Sequence, residues 1–331
     1  VETGMPTMLP WQTDVLRRAL TLKHEQRVPH AVLLENPSDY QMEQLARYLS
    51  MLLLCDAPRE LSLCASCEAC RMMAAGTYAD FSLVTIESDP KSKKLSKNIK
   101  IEQIRDLIHE LSLTRKFDRL KVAIIYPAEL MSSASANALL KTLEEPAPGV
   151  LLILLTRYPG RIPVTLRSRC QPWTIDPPDD HASLEWLGLQ GLASETAIQY
   201  LQYAAGDPLL AQQLQLQEFA QRVDSFKTRF AAFLRGGLSV SELVNSLLAN
   251  ENDSARRLIA MTLRAYCLQA FGVDGNAQSK AAENRARARD LLDLQRRAQQ
   301  QLQVEENNLD FQLQLEDVLI SLKQIITRRF N

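Results

Sequence analysis

The fold class that the sequence predicts is an α/β domain on a parallel sheet, followed by a small helical domain and an all-α C-terminal domain. Three observations carry it. Short apolar runs alternate with helical patterns over the first half of the chain. Asp176-Pro177-Pro178 then breaks that alternation, and no convincing strand follows. From about residue 218 the composition shifts to Ala, Leu, Gln and Arg, as long helices require. A chain of 331 residues is too long for one core, so two or three domains are expected. Their boundaries are read at 5–175, 176–217 and 218–331.

The strands come from four apolar runs, 30–34 (HAVLL), 81–86 (FSLVTI), 121–126 (KVAIIY) and 149–156 (GVLLILLT), with a weaker fifth at 170–175. Helical patterns lie between them near 11–25, 41–54, 101–112 and 132–145, the last stopped by Pro146. Continuous apolar strands alternating with helices imply a parallel sheet covered on both faces. Short helices follow over 179–215, punctuated by Gly191 and Gly206-Asp207-Pro208. Long ones follow near 218–235, 239–249, 253–270, 280–303 and 309–329, separated at Gly236-Gly237 and again around Gly272 to Asn276.

Composition narrows the function. Hydrophobic residues are 46% of the chain, and no apolar run reaches the ~18 residues of a membrane span. A net charge of −1 argues against a free-standing, basic nucleic-acid binder. Only 11 glycines leave little material for a glycine-rich phosphate loop. No leader pattern opens the chain, and residues 1–4 ahead of Met5 are expected to be a cloning remnant. The cytoplasm is the expected compartment.

Of six cysteines, Cys55, Cys64, Cys67 and Cys70 fall within sixteen residues, spaced x8, x2 and x2. Four soft ligands close a tetrahedral Zn²⁺ site, and the reading is a structural zinc module following the 41–54 helix. Buried free thiols or a redox Cys-x2-Cys pair are the alternatives; they suit Cys170 and Cys267 better than this cluster. Five lysines, Lys91, Lys93, Lys94, Lys97 and Lys100, read as a solvated loop or as a contact to DNA phosphates. His24, His30, His109 and His181 are scattered and form no metal or triad pattern. Lys141, Glu144 and Glu145 read as helix-surface charges or as part of a subunit interface.

The segment from Asn137 to Pro146 (NALLKTLEEP), an apolar strand, and then Thr165-Leu-Arg-Ser-Arg-Cys170 closely resembles the bacterial clamp-loader subunits of the AAA+ family. Ile99-Lys-Ile-Glu-Gln-Ile-Arg105 and Gly76-Thr-Tyr-Ala-Asp80 resemble further segments of that family, and the region from Asn308 to Leu319 resembles its final collar helix. The resemblance covers nearly the whole chain and is densest over 28–172. It implies an AAA+-like domain with a P-loop-NTPase-type sheet, a helical lid and a C-terminal collar that mediates oligomerisation. It also places a zinc module of this spacing at this point of the chain.

Active members of the family run His-Ala, three apolar residues, then a GPxGxGKT loop. Here the stretch is His30-Ala-Val-Leu-Leu-Glu-Asn-Pro-Ser-Asp-Tyr-Gln-Met-Glu-Gln44. Asn36, Asp39, Tyr40 and Gln41 stand in the glycine-rich loop, Met42 at the lysine and Glu43 at the Mg²⁺-binding hydroxyl. A P-loop needs those backbone N–H groups, that lysine and that hydroxyl to hold a triphosphate. Tyr126 and Pro127 replace the two strand-end acids, and Leu209 stands for a second-sensor arginine. No ATP is therefore expected on this chain, and it is read as no enzyme by itself.

The Ser168-Arg169-Cys170 motif is intact, and in the family this arginine enters a neighbour's ATP site as a finger. Arg167 is the lesser candidate. The partners implied are ATPase subunits of gamma/tau type and a delta-type subunit, with the sliding clamp and primed DNA reached through the complex. The rivals are an active ATPase of the same family and a stand-alone zinc-dependent DNA-binding protein.

Overall fold

Residues 8–36, 42–87, 96, 98–117, 119–249, 252–270, 281–301 and 308–327 are described in the computed structural model. The chain divides into two compact units, Val1–Ser183 and Leu184–Asn331.

The first unit carries α1 (Thr13–His24), β1 (Ala31–Glu35), α2 (Met42–Leu54), α3 (Glu68–Ala74), β2 (Phe81–Val84), α4 (Ile101–Ser112), β3 (Lys121–Ile125), α5 (Ser133–Glu144), β4 (Val150–Thr156), α6 (Val164–Arg167) and β5 (Gln171–Thr174). The five strands form one parallel sheet in the order β2-β3-β4-β1-β5. Every residue of β3 and β4 is buried, as continuous apolar runs demand of central strands covered on both faces. Alternation along each strand separates two cores. Val32, Leu34, Val122, Ile124, Leu151 and Ile153 pack with residues of α1 and α2 on one face. Leu33, Ala123, Ile125, Leu152 and Leu154 pack with residues of α4 and α5 on the other.

The sheet edges explain where the strands stop. Weak β5 is a border strand paired only with β1 among the described residues, and it tolerates Pro172, which has no N–H to donate. β3 ends one residue earlier than the apolar run suggests. The Tyr126 N–H still reaches the Val84 carbonyl, but Pro127 cannot continue the ladder. Two short helices were not legible in the sequence. They are α3, inside the cysteine segment, and the single turn of α6.

The second unit is helical. The boundary falls within α7 (Asp180–Leu189), and α8 (Ser194–Tyr203), α9 (Pro208–Leu216), α10 (Phe219–Leu234), α11 (Val240–Leu248), α12 (Asn252–Ala270), α13 (Ala281–Gln301) and α14 (Asn308–Thr327) follow. α10 ends where Gly236 takes a φ of 81°, a left-handed turn that glycine reaches without a Cβ clash. Lys323 of α14 donates to the Phe233 carbonyl at 2.6 Å and caps that helix end. The turn sequence around Gly272 to Asn276 lies outside the described residues.

Candidate functional site

The cysteines meet because α2 ends at Leu54 and α3 begins at Glu68 beside it. Cys55 continues the last turn of α2, its N–H bonded to the Met51 carbonyl at 2.8 Å. Cys67 is the N-cap of α3, and its sulfur accepts the Cys70 N–H at 3.4 Å. The Cys64 N–H points to the Cys55 sulfur at 3.5 Å and the Cys67 N–H to the Cys64 sulfur at 3.3 Å. All four sulfurs lie within 4.8 Å of one another, and none is in a disulfide. A tetrahedral site with metal–sulfur bonds of ~2.3 Å has sulfur–sulfur edges of roughly 3.8 Å. The four soft donors therefore fit a metal ion with little movement, and the amides aimed at them offset thiolate charge.

As protein groups the sulfurs are unequal. The N–H groups of Cys67 and Ser66 lower the Cys64 thiol to about 6. Burial raises Cys55 and Cys70. Lys23 of α1 donates to the Leu52 and Cys55 carbonyls, capping the end of α2 under the cluster. Burial lowers the Lys23 pKa, against an opposing pull from Cys55 and Asp56.

A second set of charges ties this module to the sheet. Arg119 makes a two-pronged contact with Asp56, both bonds at 2.9 Å, and lies 3.7 Å from Glu68 at the start of α3. Behind it, Asp80 is 2% exposed, and one carboxylate oxygen accepts the N–H groups of Lys116 and Phe117 at 2.8 and 3.0 Å. Its other oxygen is 3.7 Å from the buried Lys121 ammonium. Sequence reasoning singled out the Gly76-to-Asp80 motif without a role for its acid, and missed Arg119. A carboxylate closing a strand-entry motif was the available signal for Asp80; Arg119 carried none.

Of the residues that the sequence marks as a degenerate phosphate loop and strand end, the described ones pack or pair within the chain. Met42 opens α2 and is 1% exposed, in one cluster with Leu45 and Leu49. Glu43 turns along the helix to Arg47 at 2.9 Å. Asn36 is buried and its N–H donates to the Thr156 carbonyl at 3.2 Å. Tyr126 packs against the same core as Met42. Leu209 is buried in the second unit, its N–H held by Asp207 at 3.0 Å. Asp39, Tyr40 and Gln41 lie outside the described residues. So do Lys91, Lys93, Lys94 and Lys97, while Lys100 pairs with Glu87 at 3.6 Å.

Arg169 stands in the turn between α6 and β5. Ser168 donates to the Thr165 carbonyl at 3.2 Å and closes the turn. Cys170 is buried in the core, where desolvation raises its thiol to about 11. Between these anchors the Arg169 side chain is 34% exposed. One guanidinium nitrogen donates to the Thr165 carbonyl at 2.8 Å and the other to Glu144 at 2.6 Å. Arg167 is exposed.

A five-stranded parallel sheet in this order, with helices on both faces and a run of helices after it, defines an α/β domain followed by a helical unit. The chain belongs to the family described as DNA polymerase III, delta subunit, which matches residues 11–179. It is 32% identical to DNA polymerase III subunit delta' of Pseudomonas aeruginosa over 244 residues, 73% of this chain and 72% of that one. With the delta' subunit of Yersinia pestis the identity is 32% over 256 residues, 75% of this chain and 72% of the other. DNA polymerase III subunit tau of Salmonella typhimurium is 35% identical over 144 residues, 44% of this chain but 21% of that protein. Among the described residues no helix is long and apolar enough to cross a membrane.

Proposed function

We propose that the chain is a non-hydrolysing, delta'-type subunit of a DNA polymerase III clamp loader, and that it lends Arg169 to the ATP site of a neighbouring subunit. One contrast carries the reading. Arg169 stands partly exposed on an intact, anchored motif, while Met42 is buried and Tyr126 packs against the core where a nucleotide site needs a lysine and an acid. A guanidinium fork suits a phosphoryl group whose charge grows in the transition state, and it acts there without any chemistry in its own chain. Similarity to a tau subunit over 144 residues supports neighbours of gamma/tau type. A delta-type subunit, the sliding clamp and primed DNA complete the set of partners, in the cytoplasm.

The divisions 5–175, 176–217 and 218–331 are read as AAA+-like domain, lid and collar. Cys55, Cys64, Cys67 and Cys70 hold a structural Zn²⁺, which when bound crosslinks the end of α2 to α3 and takes no part in phosphoryl transfer. Four thiolate donors in a closed tetrahedron favour zinc among common divalent ions.

The test is Arg169→Ala in the assembled loader, with complex formation, zinc content and DNA-stimulated ATPase measured on one preparation. A finger is worth ~10³–10⁵ in rate at its own site. The complex is expected to assemble and carry zinc, with total ATPase falling by the share of that one site and clamp loading falling further. Arg169→Lys rescues poorly, because an ammonium lacks the planar fork. Unchanged ATPase and loading in an intact complex overturns the finger. Micromolar ATP affinity of the isolated chain by calorimetry, with Mg²⁺ present, overturns the expectation that this chain binds no ATP, and hydrolysis by the isolated chain favours the active-ATPase rival.

A further inference from the structure

We infer that Glu144 is the positioning residue of Arg169: it holds the guanidinium in the attitude in which the neighbour's nucleotide meets it. This rests on the finger reading above and names the residue that prepares the finger.

The first observation is the contact itself. Arg169 is held on two different nitrogens, one bonded to the Thr165 carbonyl at 2.8 Å and the Ser168 hydroxyl at 3.5 Å, the other to the Glu144 carboxylate at 2.6 Å. Two points fix both the position and the plane of a fork that otherwise swings on a long, rotamer-rich stem. The fork has five N–H donors, so these bonds leave others for an anion. The second observation is that the carboxylate sits where a helix least favours it. Glu144 is the last residue of α5, Glu145 follows as its C-cap, and Pro146 ends the helix. A helix C-terminus concentrates partial negative charge and ordinarily attracts Lys or Arg. An acid there conflicts with local preference, and such conflicts concentrate at functional sites.

The pair contributes little to folding. The two side chains are 34% and 50% exposed, and ion pairs of that exposure are weak. Stability is therefore a poor reason for Glu144, and its removal leaves a folded chain. As a neighbour's phosphates approach, Arg169 need only add a partner with its free donors, and the pre-set fork loses little freedom in the transition state.

The experiment uses the assembled loader with Glu144→Gln, Glu144→Ala, Arg169→Ala and the double variant Glu144→Ala/Arg169→Ala. The rate removed by Arg169→Ala measures the signal of that site. Glu144→Ala is expected to cut kcat at that site by roughly threefold or more, the scale of a weak exposed pair, with KM for ATP unchanged. Glu144→Gln keeps an acceptor oxygen and the length but not the charge, so it falls between Glu144→Ala and the unaltered protein. The double variant is expected to match Arg169→Ala alone, because Glu144 acts only through the arginine. In the isolated chain, side-chain ¹⁵N NMR reads the same contact directly, with Arg169 more mobile in Glu144→Ala than in the unaltered protein, where both nitrogens are held.

Glu144→Ala with unchanged kcat, in a complex where Arg169→Ala lowers it, overturns the positioning role and leaves the finger standing. So does a further loss in the double variant, or a rise in kcat on Glu144→Ala, which makes the pair a restraint rather than a support. An Arg169→Ala complex with full activity overturns the finger and the role of Glu144 together.

Discussion

Replacing Asp80 with alanine is expected to destabilise the first unit by an amount that its contacts fix. Asp80 is 2% exposed; its carboxylate accepts the Lys116 and Phe117 amides at 2.8 and 3.0 Å and lies 3.7 Å from the Lys121 ammonium. That ammonium, 8% exposed, also donates to the Glu110 and Leu113 carbonyls, each at 2.9 Å. Asp80→Ala strands a buried cation and leaves two amides without their acceptor. Removing one member of a buried pair costs about 3–5 kcal/mol, which already includes the lost hydrogen bonds. With a urea slope of about 2 kcal/mol/M, the midpoint is expected to drop by roughly 1.5–2.5 M. The assay is urea unfolding followed by fluorescence of Trp11 and Trp173, in a Trp186→Phe background because Trp186 belongs to the other unit. Adding Lys121→Met to Asp80→Ala removes the stranded charge and is expected to restore part of the loss. A midpoint shift below about 0.5 M refutes the argument, at the stated slope. So does a double variant whose loss is the sum of two independent losses.

Removal of metal with a chelator is expected to expose the amides of residues 51–74 to hydrogen exchange before the sheet amides, and readdition of about one Zn²⁺ per chain to restore them; equal protection with and without metal contradicts it. Arg119 holds the Asp56 carboxyl below its ordinary value of 3.8. The contribution of that contact is thus complete above the ordinary value and is lost as pH falls through the lower folded one. The stability gap between the unaltered protein and Asp56→Asn is expected to stay constant above about pH 5 and to close in acid; a gap persisting near pH 2 contradicts the sign.

Much of the fold was legible because its signals are local. Residues 121–125 and 150–156 are continuous apolar runs that only a strand buried on both faces uses in full. Pro146 and the Gly236 turn mark helix ends by what their own backbones permit. The cysteine cluster is legible for the same reason, since x8, x2 and x2 spacings bring four sulfurs together with one short helix turning between them. The absence of lysine and glycine from residues 36–43 is likewise a matter of which side chains are present.

What the sequence by itself determined about this protein is therefore its elements and the cluster of four cysteines that the structure brings together. Tertiary structure decided the partnerships. Arg119 meets Asp56 across 63 positions, Asp80 meets Lys116 across 36, and Glu144 meets Arg169 across 25. No periodicity or motif joins the two members of any of these pairs, even where one member lies in a motif, because each pair is made by two segments that become neighbours only in the packed sheet. The order β2-β3-β4-β1-β5 sets those neighbours, and strand order is a property of the packed sheet, not of any stretch of chain. Charge pairs depend on distance in space, and that distance does not exist until the hydrophobic faces have closed.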